Sequence, residues 1–195
     1  MRNLVLIIFF ALLSMANSYG EVRSVPQLDL ESYLGKWYEI ASIPQFFERK
    51  CVANTTAEYS LDEEERIKVL NSCDTKKKRM SAEGRARPAG PDSNSKLEVT
   101  FVKFMGWVFL FSGDYWVLDV DQDYSYAVVG NENADYAWIL SREPFLSVEK
   151  LESAASTLKE NGYDLCDLMM TVQDGGFGQE QKLCEVVDGE GPPTE

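Results

Sequence analysis

The sequence predicts an all-β fold: an eight-stranded antiparallel up-and-down β-barrel with one C-terminal α-helix packed on the barrel. Eight segments carry apolar side chains at every second position and follow one another between short polar turns. Eight strands suffice to close a barrel whose interior holds side chains or one small ligand. A single segment near the C-terminus changes to a spacing of three and four residues, which indicates one amphipathic helix.

The eight predicted strands are evenly spaced along the chain. Pro44 ends the first, because proline cannot donate a hydrogen bond to a neighbouring strand. The helix is predicted to begin after Ser147 as N-cap and to end near Asn161, with Gly162 just beyond its last turn. A short apolar strand is expected at 168–172. The eight strand ranges are 37–44, 52–61, 66–72, 80–87, 96–103, 115–120, 124–130 and 136–142.

Residues 1–20 have the pattern of a secretory signal peptide. Arg2 precedes an unbroken apolar run at 4–13, and small residues follow the run. The segment is short for a membrane span, so an N-terminal anchor is the less favoured alternative. The remaining chain, 21–195, has the length of a single domain, with a tail expected to be flexible after about residue 185. The expected location is extracellular, with an organelle lumen as the alternative.

The composition excludes several classes of protein. The formal net charge is −13, from 19 basic and 32 acidic residues, so the chain has no electrostatic footprint for nucleic acid. It contains no histidine, which removes the commonest general base and the catalytic triads built on it. We therefore predict no catalytic residue, no metal site and no cofactor. The four cysteines, on an oxidising route, predict two disulfides, for which three pairings are open.

Five blocks of residues resemble the lipocalin family, in the family's order. The blocks are 33–41, 44–49, 113–118, 121–129 and 136–142. Within the family, the chain is similar to the branch that contains apolipoprotein D, the bacterial outer-membrane lipocalin and the plant temperature-induced lipocalins. The resemblance extends over about residues 28–172, and five ordered blocks are far more specific than a lone Gly-x-Trp.

The resemblance implies that Gly35, Trp37 and Arg142 close one end of the barrel. Their role is then structural, with the guanidinium stacked on the indole. Because the strands alternate in direction, every second turn falls at the opposite, open end. The turns expected there are those at 44–51, 74–79, 104–114 and 131–135.

The resemblance also implies a ligand cavity with an aromatic wall. If Trp37 points inward, alternation also places Glu39, Ala41, Ile43 and Asp119 inside. A fatty acid, lysophospholipid, sterol or carotenoid would suit such a wall, although the same side chains could simply fill the barrel as core. The residues expected to line the cavity are Tyr59, Val69, Leu97, Val99, Phe101, Tyr115, Val117 and Trp138.

Two aromatic segments are expected at the open rim. Four aromatic side chains in 104–111 are too many for an ordinary solvent-exposed loop. We expect these loops to enter a membrane or lipoprotein surface, or alternatively the 104–111 hairpin to cover the mouth as a lid or to extend strands five and six. The residues proposed for this rim are Phe46, Phe47, Trp107, Phe109 and Phe111.

Further expectations concern the cysteines and the surface. The resemblance to apolipoprotein D favours Cys51–Cys184, leaving Cys73–Cys166, whereas other lipocalins tie the tail to the third rim loop and would favour Cys73–Cys184. Asn54 begins an N-glycosylation sequon. The basic run 76–79 reads first as a solvated turn and otherwise as a contact for an acidic headgroup.

The sequence therefore predicts a secreted, non-catalytic carrier of a small hydrophobic ligand, with no prediction of oligomeric state. One alternative is an enzyme on the same barrel, of isomerase or de-epoxidase type. A cysteine-based version would need Cys51 or Cys73 as a free thiolate in the cavity. The other alternative is a receptor-binding module with an incidental pocket.

Overall fold

Eight antiparallel strands close into a barrel, since each pairs with the next and the first also pairs with the eighth. The computed structural model describes residues 21–90 and 93–189, so the predicted signal peptide lies outside the described part. The barrel strands are β1 (Gly35–Ser42), β2 (Cys51–Leu61), β3 (Ile67–Thr75), β4 (Arg79–Gly90), β5 (Ser93–Thr100), β6 (Gly113–Val120), β7 (Tyr126–Gly130) and β8 (Ala137–Ser141). The predicted barrel class is confirmed.

Three α-helices, two single-turn 3-10 helices and one short strand complete the secondary structure of the described residues. The short strand β9 (Met169–Met170) pairs with the far end of β1. None of these helices is long and apolar enough to cross a membrane. The α-helices are α1 (Leu30–Tyr33), α2 (Val148–Glu160) and α3 (Leu183–Val187). Sequence periodicity did not predict α1, because a four-residue helix is too short to show a period.

The helix α2 forms where the sequence predicts it. Ser147 is the N-cap and accepts a hydrogen bond from the backbone of Lys150, while Gly162 follows the helix with a φ of 82°. One side of the helix packs on the outer wall of the barrel, in a core shared with β1 and β6 to β8. The buried helical side chains are Leu151, Ala154, Ala155 and Leu158.

A bulge in β1 overturns part of the predicted inward face. Glu39 pairs with Leu140, which lies in the inner core, but Ala41 pairs with Ile139, which lies in the outer core against α2. One extra residue between the two pairs reverses the alternation that follows it. The prediction that Ala41 and Ile43 point inward is therefore wrong, whereas Glu39 does face the interior.

A second bulge has the same effect in β6. Val117 pairs with the inner Val129, and Asp119 pairs with the outer Val128. The Asp119 carboxylate consequently accepts hydrogen bonds on the outside of the barrel, from the hydroxyls of Tyr126 and Thr157, both at 3.2 Å. Its predicted inward orientation is wrong, and its role is to tie α2 to the wall.

The disulfides are Cys51–Cys73 and Cys166–Cys184. The favoured pairing of Cys51 with Cys184 and of Cys73 with Cys166 is wrong, and so is the alternative Cys73–Cys184. The physical reason is adjacency: Cys51 begins β2 and Cys73 lies near the end of the neighbouring β3, with their Cα atoms 5.5 Å apart.

The second bridge holds the tail against the barrel. Cys166 lies in a short 3-10 turn after α2, and Cys184 lies in α3, with 5.0 Å between their Cα atoms. Leu183 is fully buried and Val187 packs on the outer core. The tail thus remains packed as far as Val187, beyond the predicted boundary of about residue 185.

Candidate functional site

The closed end of the barrel is sealed by a buried tryptophan under an arginine. The indole of Trp37 is completely buried, and its Nε1 donates to the carbonyl of Tyr33 at 2.9 Å. The guanidinium carbon of Arg142 lies 3.7 Å from the centre of the indole ring, within the range of a cation–π contact. The helix α1 thus closes the base from below.

Arg142 also binds the backbone around this plug. Its guanidinium donates to the carbonyls of Ser32 at 2.6 Å, Lys36 at 2.9 Å and Tyr124 at 3.3 Å. Gly35 has a φ of 96°, and a Cβ there would lie 3.3 Å from the arginine Nη1. The structure therefore brings the three predicted closed-end residues together, and all three are engaged in packing.

The predicted cavity residues all lie on the inner face, but they divide into two levels. The lower level is packed: its side chains are at most 4% exposed and belong to one continuous inner core. Here the alternative interpretation, an ordinary filled core, describes the structure better than a cavity wall. The packed residues are Tyr59, Val69, Leu97 and Val117.

The upper level leaves apolar surface accessible inside the barrel. Val99, Tyr115 and Trp138 are half-buried, although they border the same inner core. Phe101 is 43% exposed. Its ring lies so close to Gly84 that a Cβ there would come within 2.9 Å of it, so the glycine on the inner face of β4 makes room for the ring.

Three tyrosine hydroxyls meet where the packed level ends. The hydroxyl of Tyr115 lies 2.7 Å from that of Tyr33 and 2.8 Å from that of Tyr59. Burial raises the pKa of Tyr59 to about 12 and raises the pKa of Tyr33 and of Tyr115 well above the usual value, so all three are neutral donors. They form a polar floor beneath the accessible aromatic wall.

Two glutamates approach each other near the mouth. Glu39 is 7% exposed, and its Oε1 accepts from the hydroxyls of Thr171 at 2.6 Å and Ser42 at 3.0 Å. Glu48, on the loop after β1, accepts from the side chain of Trp138. Burial first, and the neighbouring Glu39 second, raise the pKa of Glu48 to about 8.

Sequence reasoning missed Glu48. It lies inside the matched block 44–49, but nothing in the sequence shows that the loop turns this carboxyl toward the indole of Trp138. Burial also raises the pKa of Glu39, against the effect of its hydroxyl donors. The mouth therefore holds a pair of carboxyl groups whose pKa values are both raised.

The rim exposes many large apolar side chains. Phe46 and Phe47 are 73% and 50% exposed, on the loop between β1 and β2. On the loop between β5 and β6, Phe111 is 67% exposed and is accompanied by neighbours that were not predicted as contact residues. These neighbours are Phe104 at 77%, Met105 at 99% and Leu110 at 85% exposure.

Two of the predicted rim aromatics pack instead on the outside of the barrel. Trp107 lies 4.8 Å from the guanidinium carbon of Arg85, and Phe109 lies 4.2 Å from that of Arg87, both on the outer face of β4. The loop also buries Thr100, whose hydroxyl donates to the Val108 carbonyl at 2.9 Å. The loop therefore folds over the outer wall of the barrel, unlike a lid across the mouth.

The sequon residue lies at the open end, within a hydrogen-bonded network. Asn54 is half-buried, and its Nδ2 donates to Asp74 at 2.8 Å and to Asp174 at 2.9 Å. Glycosylation at this position stays a prediction.

The cysteine-based enzyme has no thiol to use, because all four cysteines are in disulfides. Within residues 21–90 and 93–189, no group of side chains has the composition of a metal site.

Comparisons with known proteins agree with this geometry. A family model described as a lipocalin-like domain matches residues 28–173. Temperature-induced lipocalin-1 of Arabidopsis thaliana is 39% identical over 156 residues, which cover 78% of this chain and 83% of the relative. The outer membrane lipoprotein Blc of Vibrio cholerae is 34% identical over 177 residues, covering 89% and 99%.

Other relatives extend the similarity to animals. Apolipoprotein D of Macaca fascicularis is 36% identical over 169 residues, covering 80% of this chain and 84% of the relative. Among solved structures, insecticyanin of the tobacco hornworm Manduca sexta has a TM-score of 0.63 and 26% identity, over 78% of this chain and 84% of the other. The predicted branch is confirmed by its three named members, and the chain belongs to the lipocalin family.

Proposed function

We propose that this protein is a secreted, non-catalytic carrier that holds a small hydrophobic molecule in the upper half of its barrel. The ligand class is a fatty acid, lysophospholipid, sterol or carotenoid. The signal-peptide pattern of residues 1–20 supports the secreted location, with an organelle lumen as the alternative.

One observation carries the proposal: the inner face is packed below and accessible above. The floor is built from the hydroxyls of Tyr33, Tyr59 and Tyr115, and the wall above it includes Phe101 and Trp138. An apolar wall with a few polar groups is the usual composition of a small-molecule site. Burial of apolar surface contributes about 25 cal/mol per Å², which suffices for micromolar binding without many polar contacts.

The exposed rim supports exchange of the ligand with a membrane or lipoprotein surface. Phe46 and Phe47 lie on one side of the mouth, and Phe104 and Phe111 lie on the loop at the other side. Aromatic side chains of this kind enter the boundary between lipid headgroups and acyl chains. A hydrophobic ligand would then move between lipid and barrel with little contact with water.

The binding proposal is tested with a dansyl-labelled fatty acid. We expect fluorescence enhancement with the wild-type protein and about tenfold weaker binding for Phe101→Ser. The phenyl ring would lose roughly 55 Å² of apolar contact with the ligand, and a loss of that size weakens binding about tenfold. Phe101 is already 43% exposed, so its removal leaves the fold intact.

The matched control is Phe145→Ser. Phe145 is 54% exposed but follows β8 at the closed end, outside the barrel. The control should bind the probe like the wild type. Equal affinities for all three proteins, or no binding by the wild type, would contradict the proposed ligand site. Extraction of the native protein into organic solvent, followed by mass spectrometry, then identifies the ligand class.

A further inference from the structure

Loops at the two ends of the barrel differ in charge. The three loops that leave the open ends of β1 to β6 span 43–50, 76–78 and 101–112, and together they contain six basic side chains and one carboxylate, Glu48. All six basic side chains are exposed, and none is in an ion pair within the described residues. They are Arg49, Lys50, Lys76, Lys77, Lys78 and Lys103.

The closed end has the reverse composition. The turns 62–66 and 121–125 contain six carboxylates and one basic residue, Arg66. That arginine is itself paired with Asp62 and Glu64. The overall charge of −13 is therefore unevenly distributed between these two sets of turns.

The basic and aromatic loops are neighbours around the mouth. Because β1 to β6 are consecutive in the barrel, the lysine turn 76–78 lies between the aromatic loops 43–50 and 101–112. The fourth open-end turn, 131–136, contains Glu132 and Asp135 and lies on the opposite side. One half of the rim thus combines exposed apolar rings with cations that form no ion pair among the described residues.

We propose that this half of the rim docks on a membrane surface that carries anionic phospholipid. The inference rests on the membrane-contacting part of the proposed function and names the headgroup charge that this contact selects. The geometry explains how an acidic protein can do this. A strand such as β1, of eight residues, spans about 20 Å along a tilted barrel. The Debye length in physiological salt is only about 8 Å, so a surface at the rim is screened from the carboxylates at the closed end.

The lysine turn is suited to mutation because its shape does not depend on its side chains. The hydroxyl of Thr75 accepts from the backbone of Lys77 at 3.2 Å and of Lys78 at 3.1 Å, and donates to the carbonyl of Lys78 at 2.7 Å. Replacing the three lysines with glutamine leaves these bonds in place.

The test is co-sedimentation with two kinds of vesicle: phosphatidylcholine alone, and a three-to-one mixture with phosphatidylserine. We expect the wild type to prefer the mixed vesicles, with a preference that weakens in high salt. The variant K76Q/K77Q/K78Q should bind the mixed vesicles about 10- to 100-fold more weakly, while its binding to phosphatidylcholine changes little. The control R23Q/K36Q/K159Q removes three exposed basic side chains that lie outside the three rim loops and should behave like the wild type.

Several outcomes overturn the inference: no vesicle binding, equal binding to the two compositions, or an equal loss in the rim and control variants. Equal binding to both compositions would assign docking to the aromatic rings alone. Fatty-acid binding without vesicles is measured on the same samples. A protein that binds the probe without lipid selectivity would overturn this inference and leave the carrier function standing. Selective vesicle binding without probe binding would overturn the carrier function and leave this inference standing.

Discussion

The two ends of this barrel use the same kinds of side chain for different purposes. At the closed end, Trp37 is completely buried beneath Arg142, and aromatic surface contributes to packing. At the open end, Phe46 and Phe111 are 73% and 67% exposed, and their aromatic surface stays accessible to solvent. Residue type alone therefore does not separate buried from exposed aromatics in this fold.

The largest expected effect tests the closed end. Trp37→Ala removes a fully buried indole together with its hydrogen bond to Tyr33 and its contact with Arg142. We expect a loss of about 3–5 kcal/mol in the free energy of unfolding. Urea denaturation followed by far-ultraviolet circular dichroism measures it without relying on tryptophan fluorescence.

The control for this variant lies at the other end. Phe46→Ala truncates a side chain that is 73% exposed and should change the free energy of unfolding by less than about 0.5 kcal/mol. A similar loss in both variants would show that the rim aromatics are part of the core, contrary to the distinction drawn between the ends.

The next effect concerns how the open end is held together without a packed plug. The Cys51–Cys73 bridge joins β2 to β3 at that end and encloses a separation of 22 residues. The bridge stabilises the fold by reducing the entropy of the unfolded chain. Its removal in C51S/C73S should therefore lower the free energy of unfolding by about 3 kcal/mol. Non-reducing peptide mapping tests the pairing directly, and a linked Cys51–Cys184 peptide would contradict the structure.

The fold was predictable because strand alternation and the five ordered blocks depend on local sequence. The cysteine pairing was not predictable in the same way. Cys51 and Cys73 become neighbours only through the register of β2 on β3, and Cys184 reaches Cys166 only because the tail folds back beside the turn after α2. The first pairing depends on the register of one hairpin, and the second depends on how the tail folds back.

The prediction of side-chain orientation was wrong at the two bulges. Alternation is a reliable guide only while each residue has one partner, and the insertions near Ile40 and Leu118 break that condition. No glycine or proline marks either site, so the predicted inward faces of Ala41 and Asp119 had no local warning. The bulges place outer-core and helix-binding side chains where inner ones were expected.

A smaller effect is expected at the boundary between the two ends. Tyr115→Phe leaves the hydroxyls of Tyr33 and Tyr59 without the partner that joins them. We expect a loss of about 1–2 kcal/mol in the free energy of unfolding, since the two remaining hydroxyls are buried. The control Tyr38→Phe removes a hydroxyl that accepts from the exposed Lys36, and should be nearly neutral. A neutral Tyr115→Phe would mean that water replaces the lost hydroxyl, and that the floor of the cavity is wet.

The last prediction is local and concerns the pH dependence of the open end. The pKa of Glu48 is raised from 4.5 to about 8 in the folded protein, so its packed position favours the protonated form. The stabilisation of the loop 43–50 is therefore complete below about pH 4.5 and is lost as the pH rises through about 8. Amide hydrogen exchange, corrected for intrinsic rates, should show stronger protection of this loop at pH 5 than at pH 9.

Glu48→Gln provides the decisive comparison, because glutamine keeps the shape and cannot ionise. The variant should keep its loop protected at both pH values, although Glu39 still titrates beside it. The protection of α2, which packs on the outer wall of the barrel, serves as the internal control. If the variant loses protection at high pH as the wild type does, Glu39 rather than Glu48 controls the loop. In either case the closed end, whose plug rests on Trp37 and Arg142, should not respond over this range, since the arginine stays charged.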